Sequence, residues 1–212
     1  IYLPKTLPLA ELPDERMQFT LGMFGDGDFF DMKGVVEEFF AKAGMEKRPH
    51  YDPNSKKPFL HPGRQADIVY DSVTIGYIGE VHPAVAENYK IGDRAYVAVI
   101  DMPSMIPFTS FDRKYTGLAK YPAVTRDISM VVPRRILAGE IEEIIEQRGG
   151  KLLESYELFD IYEGSQILAG YKSMAYTITF RAADHTLEDQ EVTAVMKKIL
   201  NGLQGLGIEL RA

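Results

Sequence analysis

The strongest constraint on this chain is the order of periodicities in its second half. Residues 125–132 read as a strand, 138–148 as a helix stopped by Gly149-Gly150, 151–162 and 170–181 as two more strands, 188–204 as a helix and 206–211 as a last strand. A β-α-β-β-α-β order folds as a split βαβ unit, a ferredoxin-like sandwich in which two helices cover one face of a four-stranded antiparallel sheet. The other face is left open.

The first half is patterned differently. Residues 1–18 carry Pro4, Pro8 and Pro13 and read as an extended lead-in. A helix is expected from Asp28 or Asp31 to Gly44, because Met32, Val35, Val36, Phe39, Phe40 and Ala43 recur at three- and four-residue steps behind an acidic cap. Segment 46–63 reads as a loop rich in Pro, Lys and Asn. Strands 65–70 and 73–81 form a hairpin about Asp71-Ser72, Pro83 opens a short helix closed by Gly92, and 96–100 is a strand. Pro103, Pro107, Gly117 and Pro122 interrupt 103–122, which places the domain boundary there. The expected fold class is α+β in two domains: a lead-in at 1–18, an antiparallel layer at 19–105, a linker at 106–118 and the ferredoxin-like domain at 119–212.

Composition removes whole classes of function. The chain has 212 residues, 45% apolar and 26% charged, which suits a packed core, and no apolar run approaches the ~18–20 residues of a membrane-spanning helix. With no cysteine there is no disulfide, thiol nucleophile, iron–sulfur cluster or cysteine zinc site, and a reducing cytosol is compatible. The net charge of −7 splits into −4 before Ala119 and −3 from it onward, so neither half has the basic excess of a general nucleic-acid binder. Any RNA contact must rest on a few placed side chains. Nothing at Ile1 resembles a secretion signal, and the chain reads as a piece of a longer cytoplasmic protein.

Motifs for chemistry are missing. There is no phosphate-binding glycine loop and no G-x-S-x-G elbow. Gly25-Asp26-Gly27-Asp28 is a turn and cap, since Phe30 stands where a calcium loop needs an oxygen. His50, His61, His82 and His185 show no H-x-x-x-H spacing, and Glu142-Glu143 and Glu188-Asp189-Glu191 sit on helix starts or exposed faces. No catalytic residue and no metal site is expected.

The informative feature is the hairpin made by 151–162 and 170–181. If it is centred on the 164–169 loop, Phe159 opposes Met174 and Asp160 opposes Ser173. Parity then turns Phe159, Ile161, Met174, Tyr176, Ile178 and Phe180 to the helices. Tyr156, Leu158, Asp160, Tyr162, Tyr171, Ser173, Ala175 and Thr177 turn to the open face. An aromatic and polar platform of this kind binds single-stranded RNA by stacking and edge reading. A carboxylate such as Asp160 accepts from both N1–H and the exocyclic amine of an unpaired guanine, and a neighbouring Ser hydroxyl adds a bond. The plainer alternative stays open at this level: Asp160 ends a strand and caps a turn, and a one-residue slip in register reverses every face.

Several strings resemble a known family. Tyr121-Pro122-Ala123-Val124-Thr125-Arg126-Asp127-Ile128-Ser129, Glu157-Leu158-Phe159-Asp160-Ile161-Tyr162-Glu163-Gly164, Gly170-Tyr171-Lys172-Ser173-Met174-Ala175 and Arg181 through Leu187 resemble the ferredoxin-fold anticodon-binding domain of phenylalanyl-tRNA synthetases. Upstream, Asp28 to Gly34, Leu60-His61-Pro62-Gly63-Arg64 and Ile75 to Pro83 are similar to the catalytic-like domain of the bacterial beta subunit. Tyr171 departs from the residue many relatives carry before the Lys-Ser pair.

The resemblance implies a non-catalytic class II synthetase-like sheet at 19–105, supporting an alpha2-beta2 complex with the alpha subunit. It also implies an anticodon-binding domain for tRNA(Phe) at 119–212. ATP and magnesium would serve the whole enzyme in the alpha subunit, with no cofactor in this piece, and the family's tRNA-binding fold and editing domain would lie upstream. Asp160 and Ser173 would read the guanine at the first anticodon position, while Arg126, Lys172 and Arg181 would contact phosphate or sugar or serve as structural ion-pair partners. Two rivals are a single-chain organellar synthetase, which the Leu60–Arg64 and Gly76–Pro83 strings disfavour, and a ferredoxin-like regulator that binds a small ligand and no RNA.

Overall fold

The computed structural model describes residues 2–8, 10–112, 115, 117–164 and 166–211. Arg113, Lys114 and Thr116 of the expected linker lie outside the described residues, as do Ile1, Leu9, Ser165 and Ala212. The chain divides into two compact units, Ile1–Tyr115 and Thr116–Ala212. Among the described residues no helix is long and apolar enough to cross a membrane.

In the first unit, β1 (Tyr2–Leu3) pairs with β2 (Asp14–Glu15), and a five-stranded antiparallel sheet follows. Its strands are β3 (Gln18–Phe24), β4 (His50–Asp52), β5 (Leu60–Tyr70), β6 (Val73–Val81) and β7 (Ala95–Asp101), in the order β3-β7-β6-β5-β4. Helix α1 (Phe29–Lys42) covers one face with Met32, Val36 and Phe40, a stripe at four-residue steps. Its start is set by Asp28, whose carboxylate accepts from the amides of Phe30 (2.7 Å) and Asp31 (2.9 Å), while Asp31 accepts from the Asp28 amide at 2.8 Å. Its stop is Gly44, where φ is +77° and a Cβ would fall 1.7 Å from the Ser110 carbonyl oxygen. Asp71 and Ser72, with φ of 44° and 67°, close the β5–β6 hairpin as a two-residue turn of the left-handed type.

Four expectations change here. The lead-in holds a short strand pair rather than plain extended chain, and β3 lies in a stretch that the sequence left unassigned. That edge strand points only Leu21 and Met23 into the core and lays Phe19 on Phe39, with ring centroids 4.8 Å apart. Segment 46–63 is not all loop. It contains β4 and the first residues of β5, because pairing with β5 holds the polar triplet His50–Asp52 extended. Finally, α2 (Pro83–Asn88) ends before Gly92, with its cap at Tyr89 and a positive φ of 57° at Lys90 just beyond it. A further short helix, α3 (Met102–Met105), follows β7 and leads into a single 3₁₀ turn at Ile106–Phe108.

The second unit contains β8 (Val124–Pro133), α4 (Ala138–Gly149), β9 (Leu153–Tyr162), β10 (Tyr171–Phe180), α5 (Asp189–Gln204) and β11 (Glu209–Leu210). The sheet order β11-β8-β10-β9, antiparallel throughout, is the expected ferredoxin-like arrangement; β11 is two residues rather than six. Ile128, Met130 and Val132 of β8 and Met174, Tyr176, Ile178 and Phe180 of β10 meet Ile141 and Ile145 of α4 and Val192, Val195, Ile199 and Leu203 of α5. The helices approach closely at Gly202, where a Cβ would stand 2.8 Å from the Ile144 side chain.

Candidate nucleic-acid interface

The face of the second sheet that carries no helix is built by register. Three rows run across its strands. The first is Glu209, Val131, Ser173 and Tyr162; the second is Ser129, Ala175 and Asp160; the third is Asp127, Thr177 and Glu157. Small side chains occupy the middle of the first two rows, so the floor is flat, with Tyr162 and Asp160 at its β9 rim.

The hairpin register differs from expectation. Asp160 opposes Ala175, and Ser173 opposes Tyr162, two positions from the expected pairing, which leaves their faces unchanged. Between the Ala175–Asp160 and Tyr176–Leu158 pairs the register slips by one, and Phe159 is the extra residue. The slip reverses the faces upstream of it. Tyr156 and Leu158 pack against the core instead of joining the platform, and Phe159, expected in the core, is 55% exposed. Tyr156 also donates its hydroxyl to Glu146 of α4 at 2.6 Å.

Asp160 and Ser173 are therefore diagonal neighbours on the open face, a separation of roughly 7–8 Å between such positions. Asp160 is exposed and makes no hydrogen bond or ion pair among the described residues. Ser173 is only 4% exposed, and its hydroxyl lies 3.4 Å from Nη1 of Arg211. The Arg211 amide continues the β11 ladder, donating to the Ser129 carbonyl at 2.8 Å, and its guanidinium sits 6.0 Å from the ring centre of Tyr162. Arg211 is the member of this constellation that sequence reasoning missed. Its signal was parity: a strand at 206–211 paired with β8 puts Arg211 on the same face as Glu209.

Of the three other cations expected at the site, Arg126 and Arg181 are committed elsewhere. Arg126 has the parity of the core residues Ile128 and Met130; its guanidinium is paired with Asp189 at the start of α5, not with Asp127, which accepts from Thr177 Oγ1 at 2.6 Å. Lys172 shares the helix-side parity of Met174. Burial holds its ammonium below the ordinary lysine range, against the pull of Glu163 and Glu140. Arg181 donates to Glu154 of β9 at 2.8 Å and to the Tyr121 carbonyl. Tyr171 is half-buried at the first position of β10.

At the start of α5, His185 lies between Asp184 (2.7 Å) and Glu191 (3.0 Å), and the hydrogen bonds to these two carboxylates raise its imidazole above the ordinary histidine range. Glu191 in turn accepts from the Glu188 amide at 2.9 Å, capping the helix. Among the described residues no cluster of three His, Asp or Glu side chains is arranged to hold a metal ion.

In the first unit, loop 53–59 lies beside a cleft lined by Asn54, Lys56, Leu60, Gln65 and His82. The polar groups around it bond to one another. Asp67 accepts from Ser55 at 2.9 Å and pairs with Lys57 at 3.1 Å, Gln65 accepts from the Lys57 amide at 2.8 Å, and Arg64 donates to the buried Glu80 at 2.8 Å.

Comparison with known proteins decides the family. Residues 1–102 match the model of the phenylalanyl tRNA synthetase beta chain CLM domain, and residues 119–211 match that of the ferredoxin-fold anticodon binding domain. Similar proteins include the phenylalanine–tRNA ligase beta subunit of Clostridium acetobutylicum, 43% identical over all of this chain and 26% of that protein. Those of Clostridium tetani, 39% identical over 94% of this chain and 25% of the relative, and Symbiobacterium thermophilum, 37% over 95% and 24%, are also similar. The chain belongs to the phenylalanyl-tRNA synthetase beta chain family. It spans about a quarter of the length of the relatives it matches. Within this beta chain segment the CLM match falls on the first unit, and the anticodon-domain match on the unit that carries the open face.

Proposed function

We propose that this segment serves a cytoplasmic phenylalanine–tRNA ligase by binding the anticodon region of tRNA(Phe) on the open face of its second unit. Its first unit supports assembly with the alpha subunit in an alpha2-beta2 complex. The observation that carries the reading is the free carboxylate of Asp160 beside Ser173, Arg211 and Tyr162 on a flat sheet face. An ionised carboxylate with no internal partner accepts from the N1–H and exocyclic amine of guanine, a pattern no other base presents on its Watson–Crick edge. Arg211 and the Ser173 hydroxyl supply donors on the neighbouring strands, and Tyr162 offers a ring for stacking. Arg126 and Arg181 enter as structural partners, since each already has a carboxylate or carbonyl to satisfy, and Lys172 has the helix-side parity of Met174.

In this reading ATP and magnesium work in the alpha subunit, and this segment is catalytically inactive. In the first sheet Lys57 and Arg64 are paired with Asp67 and Glu80.

The test is binding of the 212-residue chain to the tRNA(Phe) anticodon stem-loop at two salt concentrations. A second stem-loop lacks the first anticodon guanine, and an Asp160→Ala protein is run beside the wild type. A guanine preference that Asp160→Ala abolishes supports the reading. Equal binding of both RNAs by both proteins assigns RNA contact to the backbone alone. Saturable binding of a small metabolite with no RNA binding favours the regulator.

A further inference from the structure

The open face of the second sheet is charged unevenly. Among the described residues of its three rows and of the β11 ladder stand four exposed carboxylates, Asp127, Glu157, Asp160 and Glu209, and one guanidinium, that of Arg211. Glu157 and Glu209, like Asp160, make no hydrogen bond or ion pair among the described residues, and Asp127 accepts from Thr177. The guanidinium reaches the first row, beside Ser173 and Tyr162. The third row lies roughly 7 Å beyond the Asp160 row along β8 and β10, and holds Asp127 on one side of Thr177 and Glu157 on the other. Asp160 therefore has a cation toward one end of the sheet and two anions toward the other. Glu209 is on β11, at the opposite edge from Asp160. Asp127 and Glu157 both lie within strands, where they cap no helix, and neither meets a cation among the described residues. A nucleic-acid strand carries one negative charge per phosphate, and a carboxylate within a few ångströms repels it.

We infer that Asp127 and Glu157 set the path of a bound strand: they keep its phosphates off their end of the sheet, so that the sugar–phosphate chain runs at the Arg211 end and a base alone reaches Asp160. The inference rests on the anticodon reading above and adds two specificity-determining residues that touch no base. An RNA without the guanine has mainly its backbone to offer, and the backbone is what the third row repels. The net charge of −3 from Ala119 onward, unfavourable for general RNA binding, then has a use, since it suppresses binding that lacks the base contact.

The experiment uses the 212-residue chain as wild type, Glu157→Gln, Asp127→Asn/Glu157→Gln and Glu143→Gln, with two stem-loops that carry guanine or uridine at the first anticodon position. At low salt the double variant should bind the uridine stem-loop about 3–10-fold more tightly than wild type, and Glu157→Gln about 2–4-fold, the size of two and one exposed charges near a phosphate. The guanine stem-loop, already held with its backbone at the other end, should gain less than about twofold, so the preference for guanine shrinks. Raising the salt from about 0.01 M to 0.15 M shortens the screening length from ~30 Å to ~8 Å and should reduce the gain. Glu143→Gln makes the same charge change as Glu157→Gln on the exposed side of α4 and should stay within about 1.5-fold of wild type. No gain by the double variant on the uridine stem-loop, an equal gain on both stem-loops, or an equal gain by Glu143→Gln and Glu157→Gln overturns the inference. A wild type that binds the two stem-loops equally, or neither, removes the anticodon reading instead, so the two failures are distinct. Unfolding midpoints, expected to coincide because an amide at 127 still offers the Thr177 hydroxyl an oxygen, separate a change of fold from lost repulsion.

Discussion

Three partnered carboxylates in the first unit contrast with one carboxylate of the second, Asp160. In the five-stranded sheet Asp67 is met by Ser55 and Lys57, Glu80 by Arg64, and Asp101 by Arg16 and Ser104. In the four-stranded sheet Asp160 stands exposed at an edge, one residue beyond a bulge, and is unpaired among the described residues. Charges paired inside a fold hold loops and strands in register and leave no valence for a ligand. A charge the fold does not use is available for recognition. On the proposed reading the same residue type serves structure in one unit and recognition in the other.

The comparison can be tested by substitution, starting where the effect is largest. The second sheet draws its stability from one face, so Phe180→Ala, a fully buried ring in β10, should cost about 3–5 kcal/mol in urea unfolding of the second unit. Asp67→Ala in the first sheet should lower stability by about 1–3 kcal/mol, because the Ser55 hydroxyl loses its acceptor while buried. Asp160→Ala should leave the unfolding midpoint almost unchanged and instead weaken binding of a guanine-first anticodon stem-loop by about 1–3 kcal/mol. If Asp160→Ala destabilises as much as Asp67→Ala, the contrast between the sheets fails.

A smaller effect concerns pH. The His185 imidazole is raised by its bonds to Asp184 and Glu191, so its contribution is complete below the ordinary value of 6.5 and is lost as pH rises through the folded value. Asp184 is lowered chiefly by the hydrogen bond from His185 and Glu191 by that from the Glu188 amide; their contributions are present above the ordinary values of 3.8 and 4.5 and are lost as pH falls. The cluster therefore supports the start of α5 most between about pH 4.5 and 6.5, and His185→Ala should flatten the stability profile on the alkaline side of that window. Smallest of all, Arg126→Ala should cost about 0–1 kcal/mol, since its pair with Asp189 is exposed, and should leave RNA affinity unchanged.

The three long helices and their ends were legible because caps and apolar steps are local signals. Asp28, Gly44 and the α5 stripe from Val192 to Leu203 all lie within the span of one element. Strand pairing was legible only where alternation was clean, as in β8 and β10. In β9 two parities compete: Tyr156 and Leu158 are apolar on even numbers, Phe159 and Ile161 on odd ones. The adjacent pair Leu158-Phe159 is the trace of the slip, yet either parity alone gives a plausible strand until β10 fixes the register. β4 had no apolar pattern to show, and Arg211 meets Ser173, 38 residues away, through β-sheet order that no local string encodes. Asp160 and Ser173 kept their faces because the shift between expected and observed pairing is an even one.

The bulge also makes β9 a strand with two separate sets of obligations. Upstream, Tyr156 and Leu158 answer to the core and tolerate little change in volume. Downstream, residues 159–162 are all exposed. Variation confined to those four positions leaves the packing alone, so on the proposed reading the segment is a cassette for redirecting the domain to a different base while the scaffold beneath it stays fixed.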